Sequence, residues 1–399
     1  MSRMSLRLAV WVFRLYFAWP SQDMDRAAKS LYRLKGLIFR ILVIYLSVAT
    51  QTVYVFTVTN QEELLASLCL LLTQVVMIFK MEFFYRKSAE IQRIVYQFQD
   101  DQYVPRNEEE AQPLKLVRKS STIIWLVYLL TSDGLIVAWT IAASLLGEIV
   151  FPAWYPFDYK SSNGLYLLTL VSQCVAVICS ALFNVSCDSL FALLLGLTDA
   201  HLRRLVIQLE KVGHRQTTEV PVTWRARDVN QRMESFSNQS STESYEELLQ
   251  CIVFHQNVTG TLKDILNLFG TPVLLQLFCS VFILCITGLH LVADEHTIEE
   301  FIFVMLYLLC LITQVFSHCY FGNEITYTSK RVHQATSFVN YPDMDIRTRK
   351  LLIMFQNRTV TELKCFAKAV LHIELSMATF VTIIKSSYSF LTVLQSMTE

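Results

Sequence analysis

The residues of this chain best suited to chemistry are eight histidines, ten cysteines and a few acids set inside apolar stretches. The histidines are scattered, and neither H-x-x-x-H nor H-E-x-x-H occurs. A metal centre needs ligands gathered at such spacings. No nucleophile–base pairing stands out either, so an enzymatic reading has no site to rest on. A different chemistry is concentrated in the stretch FVTIIKSSYSFLTVLQSMTE (380–399). There an apolar segment carries Lys385, Ser386, Ser387, Ser389 and Thr392 through its middle. In hydrocarbon each of these groups needs a partner, whereas a flank facing water can carry them all. Asp133, Asp188 and His318 also lie within apolar stretches, where an ionisable group is a functional candidate. Asp188 and His318 fall near the ends of their stretches and are expected to be structural. Asp133 lies deeper and fits a structural or a functional role equally.

The elements that must position these groups are membrane helices. Of the 399 residues, 53% are apolar and 17% charged, against about 25% charged in a soluble chain. Mean hydropathy is +0.39. Seven stretches are long enough for hydrocarbon, which takes about 20 residues each. They lie near 36–59, 63–84, 122–147, 164–197, 259–293, 299–322 and 366–394. The fold class expected is an all-α membrane protein, residues 1–399 forming one seven-helix domain. The fourth and fifth stretches exceed one span and should continue beyond the membrane as helices.

Charge sets the orientation. Segments 1–35, 85–121, 198–258 and 323–365, with Lys368, hold 29 of the 34 Lys and Arg residues. The opposite segments hold only Lys160, and Arg40, Lys80, Lys263 and Lys385 lie inside spans. The N-terminus is therefore expected in the cytosol and the C-terminus outside. That is inverted relative to G-protein-coupled receptors, and neither a D-R-Y triplet after the third span nor N-P-x-x-Y in the last is present. The zero net charge provides no basic field for nucleic acid. Residues 1–35 read as a cytosolic or interfacial segment, with Arg3, Arg7 and Arg14 on one face of a helix lying in the interface. No secretory signal is expected. All ten cysteines fall in spans or on the inner side, so no structural disulfide is expected. The sequons at Asn184, Asn238, Asn257 and Asn357 fall there too, and glycosylation is not expected. The amphipathic stretch 344–370 has Leu351, Leu352, Phe355 and Leu363 on one face. It reads as part of a cytosolic anchor segment (323–365) whose apolar face another subunit would cover.

The ending TIIKSSYSFLTVL resembles the terminal signature of the insect odorant receptors, a Lys followed by S-Y-S-(Y/F)-(F/L)-T-(L/V)-L. FPAWYPFDY (151–159) resembles that family's aromatic outer loop. CYFGNEIT (319–326) and DIRTRKLLIMFQNRT (345–359) resemble its sixth-span exit and its cytosolic helix. The resemblance extends over the whole chain. The T-Y-x-x-Q-F pattern of gustatory relatives is absent from the last span.

The resemblance implies a ligand-tuned subunit of a heterotetrameric, ligand-gated, nonselective cation channel, opened by a small volatile organic ligand and shared with the olfactory co-receptor Orco. It implies residence in the plasma membrane of olfactory sensory neurons, at the dendrite or cilium, and no cofactor. The alternative is a gustatory-like chemoreceptor or a pore-less seven-helix receptor or scaffold. Matching the terminal motif puts Val393 at a hydrophobic gate and Ser396 near an outer polar ring. A cation pore gains nothing from an inward ammonium, so Lys385 is expected to point sideways or towards a carbonyl. Ligand-binding candidates in the outer half of the bundle are Val76, Phe79, Phe83, Thr131, Gly134, Trp139, Phe183 and Tyr307. Thr131 and Gly134 repeat a spacing of the family's third span, and the others follow from depth. Trp154 and Tyr155 would form a lid over the site or an interfacial aromatic belt. Affinity for such a ligand must come mostly from burying apolar surface, at about 25 cal/mol per Å².

Overall fold

The computed structural model describes residues 4–21, 23–212, 226–293, 298–341, 344–368 and 371–398. Within them the chain is a helical bundle. Six helical stretches are long and apolar enough to cross a membrane: Arg26–Thr57, Glu63–Gln97, Glu108–Leu145, Asn163–Leu209, Glu243–Leu291 and Phe301–Ala335. A seventh, shorter apolar stretch is Met377–Val393. Side chains such as Phe56, Leu130 and Leu145 stand exposed on the outer surface, which hydrocarbon tolerates and water does not. The chain is a multi-pass membrane protein.

In chain order the helices are α1 (Met4–Leu15), α2 (Arg26–Phe39), α3 (Leu46–Thr57), α4 (Gln61–Gln97) and α5 (Glu108–Leu146). Then follow α6 (Asn163–Leu209), α7 (Ala226–Ala293), α8 (Ile298–Ala335), α9 (Ile346–Thr359) and α10 (Met377–Thr398). A π-helical segment, Arg40–Tyr45, joins α2 to α3, so the first span is continuous but widened in its middle. The long helices begin and end where local chemistry requires. Asn107 accepts a hydrogen bond from the Glu110 N–H at 2.9 Å and starts α5, whose first turn is Glu108, Glu109 and Glu110. Acids at that end oppose the helix dipole favourably. Gly147, at φ +72°, stops α5 in the left-handed conformation that suits a glycine. Ser162 caps α6 through the Gly164 N–H.

Three observations bear on the expectations. First, one face of α1 is buried in the bundle. Val12, Phe13 and Tyr16 are completely buried, and α1 packs against α5 and α6. Phe13 stacks on Phe84 at 4.7 Å and meets Phe183 edge-on at 5.6 Å. The opposite face leaves Trp11 and Leu15 exposed. Second, the last helix begins at Met377 rather than 366. Phe366–Lys368 and His372–Glu374 pair as a short antiparallel hairpin. The sequence there alternates, with Ala367 buried between half-exposed Phe366 and exposed Lys368. Period-two burial is the mark of a strand. Third, the apolar face of 344–370 is already covered within the chain. Only Ile346–Thr359 is helical, and Leu352 and Phe355 are buried where α9 packs on α7 and α8.

Candidate functional site

The polar last helix is seated by two glycine notches. An added Cβ at Gly270 of α7 would fall 2.9 Å from the Lys368 backbone N, and one at Gly322 of α8 would fall 2.5 Å from the Leu375 O. Nothing larger than glycine admits such an approach. The hairpin thus lies flush on α7 and α8, and the Leu375 N–H donates to the Cys365 O at 2.8 Å. The Ser376 hydroxyl then accepts from the Thr379 N–H and caps α10.

α10 has two unlike flanks. Ile383 and Ser387 are buried, and the Ser387 hydroxyl donates to Ile383 O and lies 3.3 Å from Val281 O on α7. The Gly288 Cα of α7 sits under Leu391. The other flank is a stripe of Thr382, Lys385, Ser386, Ser389, Phe390 and Val393 that lines an open groove of about 340 Å³. These residues recur every three or four positions and so share one face. Val393 is 54% exposed. Lys385 lies in the same stripe, and it has no ion-pair partner among the described residues. Ser396 continues α10 two turns beyond Ser389.

Deeper in the bundle an ionic cluster ties four helices together. Lys80 Nζ lies 2.6 Å from Asp188 Oδ1 and 2.9 Å from Asn184 Oδ1. Gln314 donates to the second Asp188 oxygen, and Gln276 donates to Gln314 Oε1 at 2.8 Å. His318 Nε2 lies 3.6 Å from Asp188 Oδ1. Lys80 and Asp188 are almost fully buried, so the cluster joins α4, α6, α7 and α8 in a low-dielectric setting. Asp188, expected to be structural, is thus ion-paired and hydrogen-bonded, and His318 lies beside it. At the basic end, Glu110 receives Arg204, Gln208 and the Arg106 N–H.

The predicted ligand-site residues separate into groups. Val76 is buried. The Tyr307 hydroxyl pairs with Thr73 at 2.7 Å, and Thr131 reaches the Cys310 thiol one turn along α8. Phe83 and Phe183 lie in an aromatic cluster. Phe183 is fully enclosed by Phe13, Tyr16 and Phe84. Phe83 packs on Phe84 and Phe269. Phe79 is 39% exposed on α4. Trp139 lies 4.4 Å from Phe303 and stacks on Phe151 at 6.3 Å, near the C-terminal end of α5. Gly134 is exposed, with no atom within 4 Å of an added Cβ. Of the lid residues, the Trp154 N–H donates to Thr50 O, while the Gln173 amide donates to the Tyr155 hydroxyl at 3.0 Å and to Phe151 O at 2.9 Å. These bonds pin the loop to α3 and α6.

Two features escaped the sequence reading. The α1 aromatic cluster has no periodic signal pointing to it. The Lys80 network had one, because a lysine inside a span needs a counter-charge, but its partner could not be read from one chain.

The family model described as the 7tm Odorant receptor matches residues 60–388. Odorant receptor Or1 of Anopheles gambiae is 30% identical over 388 residues, 95% of this chain and 92% of the relative. Odorant receptor 2a of Drosophila melanogaster is 26% identical over 62% of this chain and 59% of its own length. The insect olfactory receptor OR5 of Machilis hrabei shares the fold at 14% identity, with a TM-score of 0.79 over 98% of this chain and 97% of that one. The same receptor in complex with eugenol superposes with a TM-score of 0.74. The chain is thus a member of the 7tm odorant receptor family.

Proposed function

We propose that this odorant receptor is the ligand-tuned subunit of a ligand-gated, nonselective cation channel, assembled as a heterotetramer with the co-receptor Orco. The N-terminus is cytosolic, the C-terminus is outside, and the complex works in the plasma membrane of olfactory sensory neurons. The observation that carries this reading is the exposed polar stripe of α10, Thr382, Lys385, Ser386 and Ser389, running into Val393. Hydroxyls and an ammonium on an open flank suit a water-filled conduit shared with other subunits. A ring of Val393 side chains would close it by dewetting, and Ser396 would stand near its outer mouth. A small volatile molecule, as eugenol is for the Machilis receptor, would bind among α4, α5, α6 and α8 and favour the open packing. Only a ligand with unequal affinity for the two packings can open the pore.

The test is cysteine substitution in cells that also express the co-receptor. Cysteines at Ser386, Ser389 and Val393 should let a charged thiol reagent alter the odour-evoked current, and cysteines at Ile383 and Ser387 should not. Equal insensitivity at all five positions would refute the pore assignment. Odour-evoked signalling without any cation current would favour the pore-less receptor instead.

A further inference from the structure

The most anomalous polar group among the described residues is Asp133. Both its carboxylate oxygens are shut off from solvent, and neither has a hydrogen-bond partner. Other buried acids are served differently. Asp188 holds Lys80 and Gln314. Asp199 holds Arg203 and Thr328. Glu110 holds Arg204, Gln208 and a backbone N–H. The described residues therefore supply donors to these other carboxylates and supply none to this one.

Its surroundings are uniform. The carboxylate lies within electrostatic reach of the Tyr16 and Tyr128 hydroxyls and the Cys179 and Cys310 thiols. These groups come from α5, α6, α8 and the turn after α1, and among the described residues no lysine, arginine or histidine pairs with Asp133. Thirteen residues separate it from Leu146 at the end of α5, which is about 20 Å along the helix axis. The site thus lies well inside the apolar part of α5, away from either end of the helix. It adjoins Thr131, and the same turn is open at Gly134. An unserved buried carboxylate is costly, and a partner that arrives from outside removes that cost.

We propose that the Asp133 carboxylate is the polar anchor of the ligand site and accepts a hydrogen bond from a small apolar molecule carrying one strong donor, a hydroxyl or an ammonium. The rest of the ligand is held by apolar contacts, which cannot distinguish an alcohol from its ether. Asp133 makes that distinction, because masking the donor leaves the carboxylate unserved. This assignment rests on the chemoreceptor reading above.

The experiment uses matched probes on the full receptor co-expressed with the co-receptor: 1-octanol against heptyl methyl ether, phenylethyl alcohol against its methyl ether, and octylamine. Wild type should respond to the donor-bearing member of each active pair at lower concentration. Asp133→Leu should raise the half-maximal concentration for donors about 3- to 10-fold, the equivalent of roughly 0.5–1.5 kcal/mol for a typical hydrogen bond, and leave the ethers unmoved. Asp133→Asn keeps an acceptor oxygen, so alcohols should recover part of their potency and octylamine should not. Equal shifts for alcohol and ether, or none for either, would overturn the proposal. Thermal stability of the purified complex gives a second reading. Asp133→Leu should leave it unchanged or raise it, and a fall of several degrees would show a structural partner and overturn the proposal. Failure of the channel reading would look different, with no evoked current for any probe.

Discussion

Replacing Lys80 by Met tests whether the ionic cluster holds the bundle together. Lys80 is 4% exposed, and its ammonium touches Asp188 and Asn184 at 2.6 and 2.9 Å. Methionine fills nearly the same volume, so little of the effect is cavity. What remains is a carboxylate that keeps Gln314 but has lost its cation, in a site shielded from water. Breaking a buried ion pair in this way costs about 3–5 kcal/mol. The double variant Lys80→Met, Asp188→Leu removes both charges. It should lie close to wild type apart from roughly 1–3 kcal/mol for Gln314, left without its acceptor. The two substitutions should therefore be strongly non-additive, with a coupling of about 2 kcal/mol or more. Apparent melting temperature in detergent and surface abundance both report the effect, since 1–2 kcal/mol already changes abundance several-fold. A Lys80→Met variant within about 1 kcal/mol of wild type, or a double variant equal to the sum of the singles, would show that the pair carries no such weight.

Two further outcomes follow from the seat of α10 and from the cap of α9. Gly322→Ala drives a methyl to within 2.5 Å of the Leu375 carbonyl oxygen, so the hairpin must lift off α8. The expected result is a receptor that reaches the surface yet has altered evoked current, while Gly260→Ala, where the added Cβ meets nothing within 4 Å, is silent in the same recordings. Asp345 accepts from the Thr348 and Arg347 N–H groups at the start of α9, and its bonds with Thr348, foremost among the causes, hold its carboxyl below the usual range. A depressed value stabilises above the unfolded pKa, about 3.9, and the contribution fades as pH falls through the folded value. Asp345→Ala should cost about 0.5–2 kcal/mol at neutral pH and less than that below pH 4, as measured by amide exchange in α9.

The seven apolar stretches were legible because hydrocarbon thickness imposes length and composition on any helix that crosses it. The polar flank of the last helix was legible for the same reason, since Lys385 and its serines violate that rule conspicuously. Local chemistry near the ends was not. Residues 366–374 are apolar enough to extend a span, and only the steric fit of Lys368 on Gly270 and of Leu375 on Gly322 turns them into a hairpin. The burial of Phe13 and Tyr16 was hidden likewise. Arginines beside aromatics suit an interface, and the slot between α5 and α6 exists only once those helices have packed. The ligand-site residues drawn from depth scatter because depth fixes height along a helix and leaves rotation about its axis free. Phe79 faces outward, whereas Val76, one turn earlier on α4, faces in.

The widened segment Arg40–Tyr45 in the first span has a genetic consequence. Its i→i+5 bonds spend one more residue per turn than an α-helix does, so the span carries the geometric equivalent of a single inserted amino acid. That insertion lets two side chains, Arg40 and Tyr45, reach the same Glu82. Arg40 meanwhile rests 3.6 Å over the Tyr85 ring. Deleting the exposed Leu42 would let the turn close to α-helical pitch with the two halves still in register, whereas inserting a further residue beside it would rotate one half of the span by about 100° relative to the other. One of the two contacts would then swing into lipid. An added codon is harmless in most surface loops, and in this transmembrane turn it would not be.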